Sequence, residues 1–305
     1  MKKRIIIIFS VLFVCLLIGL GYGVHYLFDF AVVSGEKEFI KQENTVKLEQ
    51  KWKFSDNHLE KIKIKSNDDL SLSARLISQE KQSKKVAIVA HGYMSEGYAM
   101  PDYANMFYEM GYDVLVPDNR GHGESEGKYV GFGWQDRMDY QQWIEKMIQL
   151  NGEDIDIVLF GVSMGASTVM MTSGETLPHQ VKAIIADCGY TSVADELSYQ
   201  LNDMFNLPSF PLIPLTSLYT KVLVGYSFYE ASTVEQLKKN KLPLLLIHGD
   251  QDDFVPTEFV YTLRDATKGS KQVEIFKGAN HATSFKTDSK RYKKLVKSFL
   301  SDYLN

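Results

Sequence analysis

Residues 155–165 read I-D-I-V-L-F-G-V-S-M-G, an apolar run that breaks into a serine held between two glycines. The run has the length and the Val/Ile/Leu content of a strand buried on both faces. The residues that follow the serine, M-G-A-S-T-V-M-M, start a helix. A strand-to-helix turn of the form G-x-S-x-G holds its serine in a strained backbone conformation, where bulky neighbours clash. Such a turn lifts the hydroxyl of Ser163 to the sheet edge, beside the partial positive charge of a helix N-terminus. The pattern predicts a nucleophile at Ser163, provided the rest of the chain supplies a base and an acid.

Similar short apolar runs recur on either side: V-A-I-V-A at 86–90, D-V-L-V-P at 113–117, V-K-A-I-I-A at 181–186, L-L-L-I-H at 244–248 and V-E-I-F at 273–276. Helix-length segments separate them. Residues 98–110 and 134–150 carry apolar side chains at helical spacing, with Trp143, Ile144, Met147 and Ile148 on one stripe. Near the C-terminus Tyr292, Leu295, Val296, Phe299 and Leu300 repeat at i, i+3, i+4, i+7 and i+8. Ahead of all these, 62–64 and 70–76 alternate with period two, as an antiparallel hairpin does. The reading is an α/β fold, a mostly parallel central sheet with helices on both faces. One connection breaks the rhythm. More than fifty residues separate Ala186 from Leu244, and they hold Pro208, Pro211 and Pro214 among many aromatics. A connection that long is usually functional, and the reading is a helical lid over about 190–240, inserted above the C-terminal sheet edge where open α/β sheets bind ligands.

The N-terminal stretch is of another kind. After K-K-R, residues Ile5 to Val24 contain no charge, and 20 residues match the ~20 that span a bilayer as a helix. The run is longer than the ~7–15 apolar residues of a cleaved signal, and no A-x-A site follows. Residues 1–30 are therefore expected to be a transmembrane anchor, 31–60 a juxtamembrane linker and 61–305 the α/β domain that carries the insertion. Lys2, Lys3 and Arg4 precede the run while Asp29 and Glu36 follow it. By the positive-inside rule this makes a single-pass protein of the cell membrane with its domain outside the cytoplasm.

The chain carries a net charge of −4, and without Lys2, Lys3 and Arg4 the remainder has 31 basic against 38 acidic residues, or −7. An acidic domain lacks the basic face that phosphate contacts need, so no nucleic-acid partner is expected. Cys15 and Cys188 are the sole cysteines and one lies in the apolar run, which excludes an internal disulfide framework. No His/Cys group has metal-ligand spacing, and no metal or organic cofactor is expected.

A serine hydroxyl is a weak nucleophile at neutral pH and needs a base. Of seven histidines, His281 in G-A-N-H-A-T-S is the candidate, in a loop after the last apolar run. His25 sits at the membrane edge, His58 and His179 read as surface residues, and His91, His122 and His248 as structural ones. The base in turn needs an acid to fix its tautomer. G-D-Q-D-D-F-V-P after 244–248 offers Asp250, Asp252 and Asp253. Asp252 is the chosen acid, and Asp187 the fallback.

Five blocks in order now carry a family likeness: H-G-Y at 91–93, D-N-R-G-H-G-E-S at 118–125, G-V-S-M-G, H-G-D-Q-D-D-F-V-P and G-A-N-H. From about residue 61 onward the chain resembles an α/β-hydrolase. With its apolar N-terminus it resembles membrane-anchored bacterial serine esterases and the related serine aminopeptidase-like lidded proteins. Ser163, Asp252 and His281 follow the chain order of that fold's triad. The resemblance implies that the N–H groups of Tyr93 and Met164 form an oxyanion hole, and that Arg120, His122 and Ser125 are scaffold. The expected reaction is hydrolysis of carboxylic esters through an acyl-enzyme on Ser163, with a small acyl ester or short peptide as substrate. Serine peptidase and thioesterase activities use the same groups and stay open, as does, more distantly, a non-catalytic scaffold. Amide cleavage needs a firmer grip on the peptide terminus, and no acidic cluster for an amino group stands out, although Asp195, Glu196, Asp203 and Glu230 lie in the lid. Ser163 speaks against dehalogenases and epoxide hydrolases, which resemble the family with Asp at that position.

Overall fold

Each apolar run becomes a strand, and the alternation with helices follows the sequence pattern. The computed structural model describes residues 2–35, 37, 51–54 and 59–304. In chain order the elements are α1 (Lys2–Ala31), β1 (Glu60–Lys65), β2 (Ser71–Ile77), β3 (Lys85–Ala90), α2 (Pro101–Glu109), β4 (Asp113–Pro117), α3 (Asp136–Asn151), β5 (Asp156–Val162) and α4 (Met164–Thr172). They continue with β6 (Val181–Asp187), α5 (Val193–Phe205), α6 (Leu212–Val224), α7 (Thr233–Leu237), β7 (Leu244–Gly249), α8 (Phe259–Ala266), β8 (Lys271–Phe276), α9 (Ser284–Thr287) and α10 (Ser289–Ser301).

The strands form one sheet in the order β1-β2-β4-β3-β5-β6-β7-β8. β1 and β2 form the expected antiparallel hairpin, β2 joins β4 antiparallel, and every later pairing is parallel. Period-two alternation divides the core between the two faces. In β5, Val158 and Phe160 pack with Phe107, Tyr292, Val296 and Phe299 from α2 and α10. Ile157 and Leu159 face Trp143, Ile144, Val169 and Leu263 from α3, α4 and α8. The strand order reverses at β3, whose neighbours are β4 on one side and β5 on the other. A crevice opens at such a reversal beyond the carboxyl ends of the strands, and both Gly92 and Ser163 lie there.

The segment between β6 and β7 forms α5, α6 and α7, and its base is closed by an antiparallel bridge between Ser192 and Ser232. Both serines also cap helices, accepting from the N–H groups of Asp195 and Glu235. The aromatics of this segment tie it down. Tyr190 donates its hydroxyl to the Phe132 carbonyl at 2.9 Å and Tyr226 to that of Val130 at 2.7 Å. Those two tyrosines join Phe228, Leu201 and Ile213 in a third apolar cluster.

That cluster also contains Phe28 and Val32 from the end of α1. Along α1, Val24, Phe28 and Val32 are buried while His25, Tyr26 and Asp29 face outward. The helix thus has two regimes. Ile5 to Ile18 present exposed apolar side chains, and the last two turns pack on the domain. The described parts of 31–60 also pack. Val33 pairs with Tyr129 in a bridge, and the buried Trp52 donates its indole N–H to the Tyr98 carbonyl at 3.0 Å. The rest of the expected linker, and His58 with it, lies outside the described residues.

Candidate active site

Ser163 follows β5 at φ 57° and ψ −120°, a left-handed backbone conformation rare for a residue with a side chain. Its flanking glycines make this geometry attainable. A Cβ on Gly161 would lie 2.2 Å from the Gly165 carbonyl oxygen, and one on Gly165 would lie 2.3 Å from that of Ala90. Neither position admits any other residue without spreading the turn. The Ser163 N–H donates to the Asp187 carbonyl at 2.8 Å, so the turn is also pinned to β6.

Three elements far apart in sequence meet at the Ser163 hydroxyl. It lies 2.8 Å from His281 Nε2, and His281 Nδ1 lies 2.9 Å and 3.1 Å from the two carboxylate oxygens of Asp252. With Nδ1–H donating to the carboxylate, Nε2 is left to accept the serine proton. Asp252 is held in turn by the backbone N–H groups of Phe254 and Val255, at 3.0 and 2.9 Å. A second imidazole, His248, places Nε2 3.2 Å from Asp252 Oδ2. Burial pushes the Asp252 carboxyl up, but the bonds from His248 and His281 outweigh it and hold it well below the usual carboxylate range. The structure thus joins Ser163, His281 and Asp252. The fallback acid Asp187 does not join them. It is buried and accepts from the Tyr292 hydroxyl at 2.9 Å, and burial pushes its carboxyl up to about 6.

The remaining predicted positions border the same point. Gly92 backs onto Ser163, its Cβ position lying 3.4 Å from Ser163 Cβ, and Tyr93 lines both of the cavities that reach Ser163. Met164 opens α4, and first-turn N–H groups have no acceptor within a helix. The 118–125 block braces this turn from behind. The Asn119 N–H donates to His91 Nε2 at 2.9 Å, and the Met94 N–H donates to His122 Nε2 at 3.2 Å. Burial pushes His91 down to about 3, so it acts as a neutral acceptor. Arg120 reaches away to Asp139 and Asp68.

Cys188, Asp252 and His281 bring ligand atoms within 4.8 Å of one another. Their chemistry does not fit a divalent ion. The Asp252 oxygens already receive two imidazoles and two backbone N–H groups, and burial keeps the Cys188 thiol protonated.

Two cavities meet at Ser163. One is open and lined by Gly92, Ser95, His281 and Lys286. The other, of about 770 Å³ including its open mouth, is walled almost wholly by apolar side chains, among them Met164, Leu201, Ile213, Phe228 and Val255. Glu196 of α5 is the acidic side chain in this wall, which also holds Gln200 and Thr216. Its Oε1 accepts from Gln200 Nε2 at 3.0 Å, while the buried Oε2 has no partner among the described residues. Burial, reinforced by the charges of Asp252 and Asp195, pushes Glu196 up to about 8, so it is protonated at neutral pH. Sequence reasoning placed Glu196 only among several insertion acids and read His248 as structural. What marks both is a neighbour distant in sequence, which no local pattern displays.

A protonated buried acid has a stability signature. The unfolded chain titrates Glu196 near the ordinary 4.5, and the folded one near 8. The folded state therefore binds the proton more tightly. Its contribution to stability is present below the ordinary value and lost as pH rises toward 8. Glu196→Gln, which cannot ionise, removes this dependence. In thermal melts between pH 5 and pH 9 the wild-type melting temperature is expected to fall relative to the variant by a few °C; parallel curves would contradict the buried, neutral carboxyl.

The comparisons with known proteins agree with this fold. A family model described as "Serine aminopeptidase, S33" matches residues 81–207. A solved esterase of Pyrococcus furiosus superposes with a TM-score of 0.69 at 23% identity, over 90% of this chain and all of that one. The chain is an α/β-hydrolase by fold. Among curated sequences the chain is 29% identical to the YqkD protein of Bacillus subtilis over 215 residues, 70% of each chain. It is 26% identical to human monoglyceride lipase over 65% of its own length and 75% of that protein's.

Proposed function

We propose that this α/β-hydrolase cleaves carboxylic esters through an acyl-enzyme on Ser163. The observation that carries the reading is the unbroken hydrogen-bonded chain from the Ser163 hydroxyl through His281 to Asp252, set on a strained turn at the mouth of an apolar cavity. In the first step Ser163 Oγ attacks the ester carbonyl while His281 Nε2 takes its proton. The N–H groups of Tyr93 and Met164 receive the oxyanion, and each such donor is worth ~10²–10³ in rate. The C–O bond to the alcohol then breaks, and the alcohol leaves with the proton from His281. Water, deprotonated by the same imidazole, releases the acid and restores Ser163. Asp252 keeps the tautomer and stabilises the imidazolium.

In this reading the insertion of α5–α7 is the lid that roofs the acyl cavity, and α1 is the single-pass membrane anchor with the domain outside the cytoplasm. The family model's description makes a peptidase the second reading, with Glu196 as the acid that would meet an amino group. A carboxyl pushed up to about 8 is neutral at pH 7 and offers no preformed charge to an ammonium group, which favours the ester. The test is labelling by a small fluorophosphonate, followed by assay of p-nitrophenyl esters against aminoacyl-naphthylamides. Labelling at Ser163 and turnover of esters above amides are expected; an unlabelled Ser163 overturns the hydrolase, and faster amide turnover overturns the ester preference.

A further inference from the structure

The wall of the apolar cavity is not built by the hydrolase domain alone. Leu27, Phe30 and Ala31 from the last turns of α1 line the same cavity as Ser163, Met164 and Leu201. These turns are fixed in place. The Tyr93 hydroxyl donates to the Ala31 carbonyl at 2.8 Å, the Val130 N–H donates to the Val32 carbonyl at 2.8 Å, and Val32 is fully buried. Along its length the end of α1 is clasped by the insertion. A Cβ on Gly23 would lie 3.3 Å from Leu212, Phe28 packs edge-on against Tyr219 at 5.0 Å, and Phe30 against Phe205 at 5.5 Å.

The position of those residues along the helix sets the depth of the cavity relative to a bilayer. The uncharged run ends at Val24, so Leu27 and Ala31 lie about 5 and 10 Å beyond it at 1.5 Å per residue. The polar layer outside the ~30 Å hydrocarbon core is itself ~5–8 Å thick on each side. With the run across the core, Leu27 stands within the headgroup layer and Ala31 just beyond its outer edge. The insertion presents unpartnered apolar side chains next to the same helix. Phe210 is 76% exposed, Val222 is 74% exposed, and Leu218 lies one turn from Val222 on α6. An apolar surface beside a spanning helix, at headgroup depth, is covered by lipid.

We propose that the end of the anchor helix is part of the acyl-binding wall, and that the substrates are long-chain acyl esters resident in the bilayer, whose tail enters the cavity against Leu27, Phe30 and Ala31. The proposal rests on the acyl-enzyme reading of Ser163. An acyl chain leaving the outer leaflet reaches the serine without crossing water, and the alcohol portion of the ester faces the open cavity by Gly92 and Lys286.

The full-length protein in phosphatidylethanolamine/phosphatidylglycerol vesicles is treated with two fluorophosphonates, one with an ethyl group and one with a hexadecyl chain carrying a terminal diazirine. Each forms a P–O bond to Ser163 and expels fluoride. After irradiation, peptide mass spectrometry is expected to find the long tail crosslinked within residues 25–33. Labelling of Ser163 with tail crosslinks confined to other segments overturns the proposal, whereas failure of both reagents to label Ser163 overturns the hydrolase reading beneath it. Ala31→Phe fills the wall and is expected to lower the ratio of long- to short-chain labelling rates by about tenfold, the scale of an overpacked site; an unchanged ratio counts against the wall. For entry from the bilayer, Leu218→Asp with Val222→Asp, both outside the cavity, is expected to slow the vesicle-borne long reagent by about tenfold, since buried interfacial charge is unfavourable. The soluble ethyl reagent is expected to label at the wild-type rate. An unchanged rate for the long reagent, or equal slowing of both reagents, overturns delivery from the bilayer.

Discussion

Ser163→Ala is expected to reduce kcat on short p-nitrophenyl esters by a factor on the order of 10⁶, the scale seen when the nucleophile of a serine triad is removed. The size follows from the way the groups act as a unit. Without the hydroxyl, His281 has no proton to accept and Asp252 no imidazolium to stabilise, so the remaining groups contribute only binding and oxyanion contacts. The protein itself should barely notice. Alanine keeps the Cβ that the left-handed conformation already tolerates, the backbone bond to Asp187 is unaffected, and one side-chain hydrogen bond is lost. That loss is worth ~0.5–1.5 kcal/mol, a shift of a few °C in a domain of this size. Esterase assays beside thermal melts check both halves. Activity within tenfold of wild type would remove Ser163 from the chemistry, and a collapse in melting temperature would make the lost activity uninformative.

The fold was readable because its signals are local. β3, β5, β6 and β7 are buried on both faces and so appear as unbroken apolar runs. The two glycines around Ser163 are readable for the same reason, since the clash that excludes a side chain at Gly161 involves Gly165, four residues on. His281 and Asp252 were reachable through loops that follow predicted strands. What the sequence hides is every contact made across the fold. His248 on Asp252 looks like the last residue of a strand until β7 and its following loop are folded together. Glu196 looks like a first-turn acid of a capped helix, which it also is, and its burial in an apolar wall depends on segments that run from α1 to the loop after β7. The end of α1 is the largest omission. Leu, Phe and Ala suit a bilayer and a protein wall equally well, so composition ends the expected anchor at about residue 30, whereas packing on the domain begins near Val24.

The acid of the site is separable from its fallback by a paired substitution. Asp252→Asn is expected to lower kcat by about 10⁴, as loss of the orienting carboxylate does in serine triads. An amide at that place can offer His281 Nδ1 an N–H, which leaves the proton on Nε2 and takes away the acceptor that Ser163 needs. Asp187→Asn is expected to cost less than about tenfold, because Asp187 bonds the Tyr292 hydroxyl and has no hydrogen bond to His281; its main effect falls on stability. The reverse ranking would move the role of the acid to Asp187. Stability against pH gives a second readout for Asp252 that owes nothing to turnover. Its folded carboxyl titrates well below the ordinary 3.8, so the unfolded chain binds the proton first as pH falls. The stabilisation is present above the ordinary value and is lost as pH drops through the folded one. The difference in unfolding free energy between wild type and Asp252→Asn is therefore expected to be largest near neutral pH and to shrink below about pH 4, as urea titrations at pH 7 and pH 3 would show. A difference that stays constant with pH would mean that Asp252 is not the ionised partner of His248 and His281, and the proton relay to Ser163 would lose its terminus.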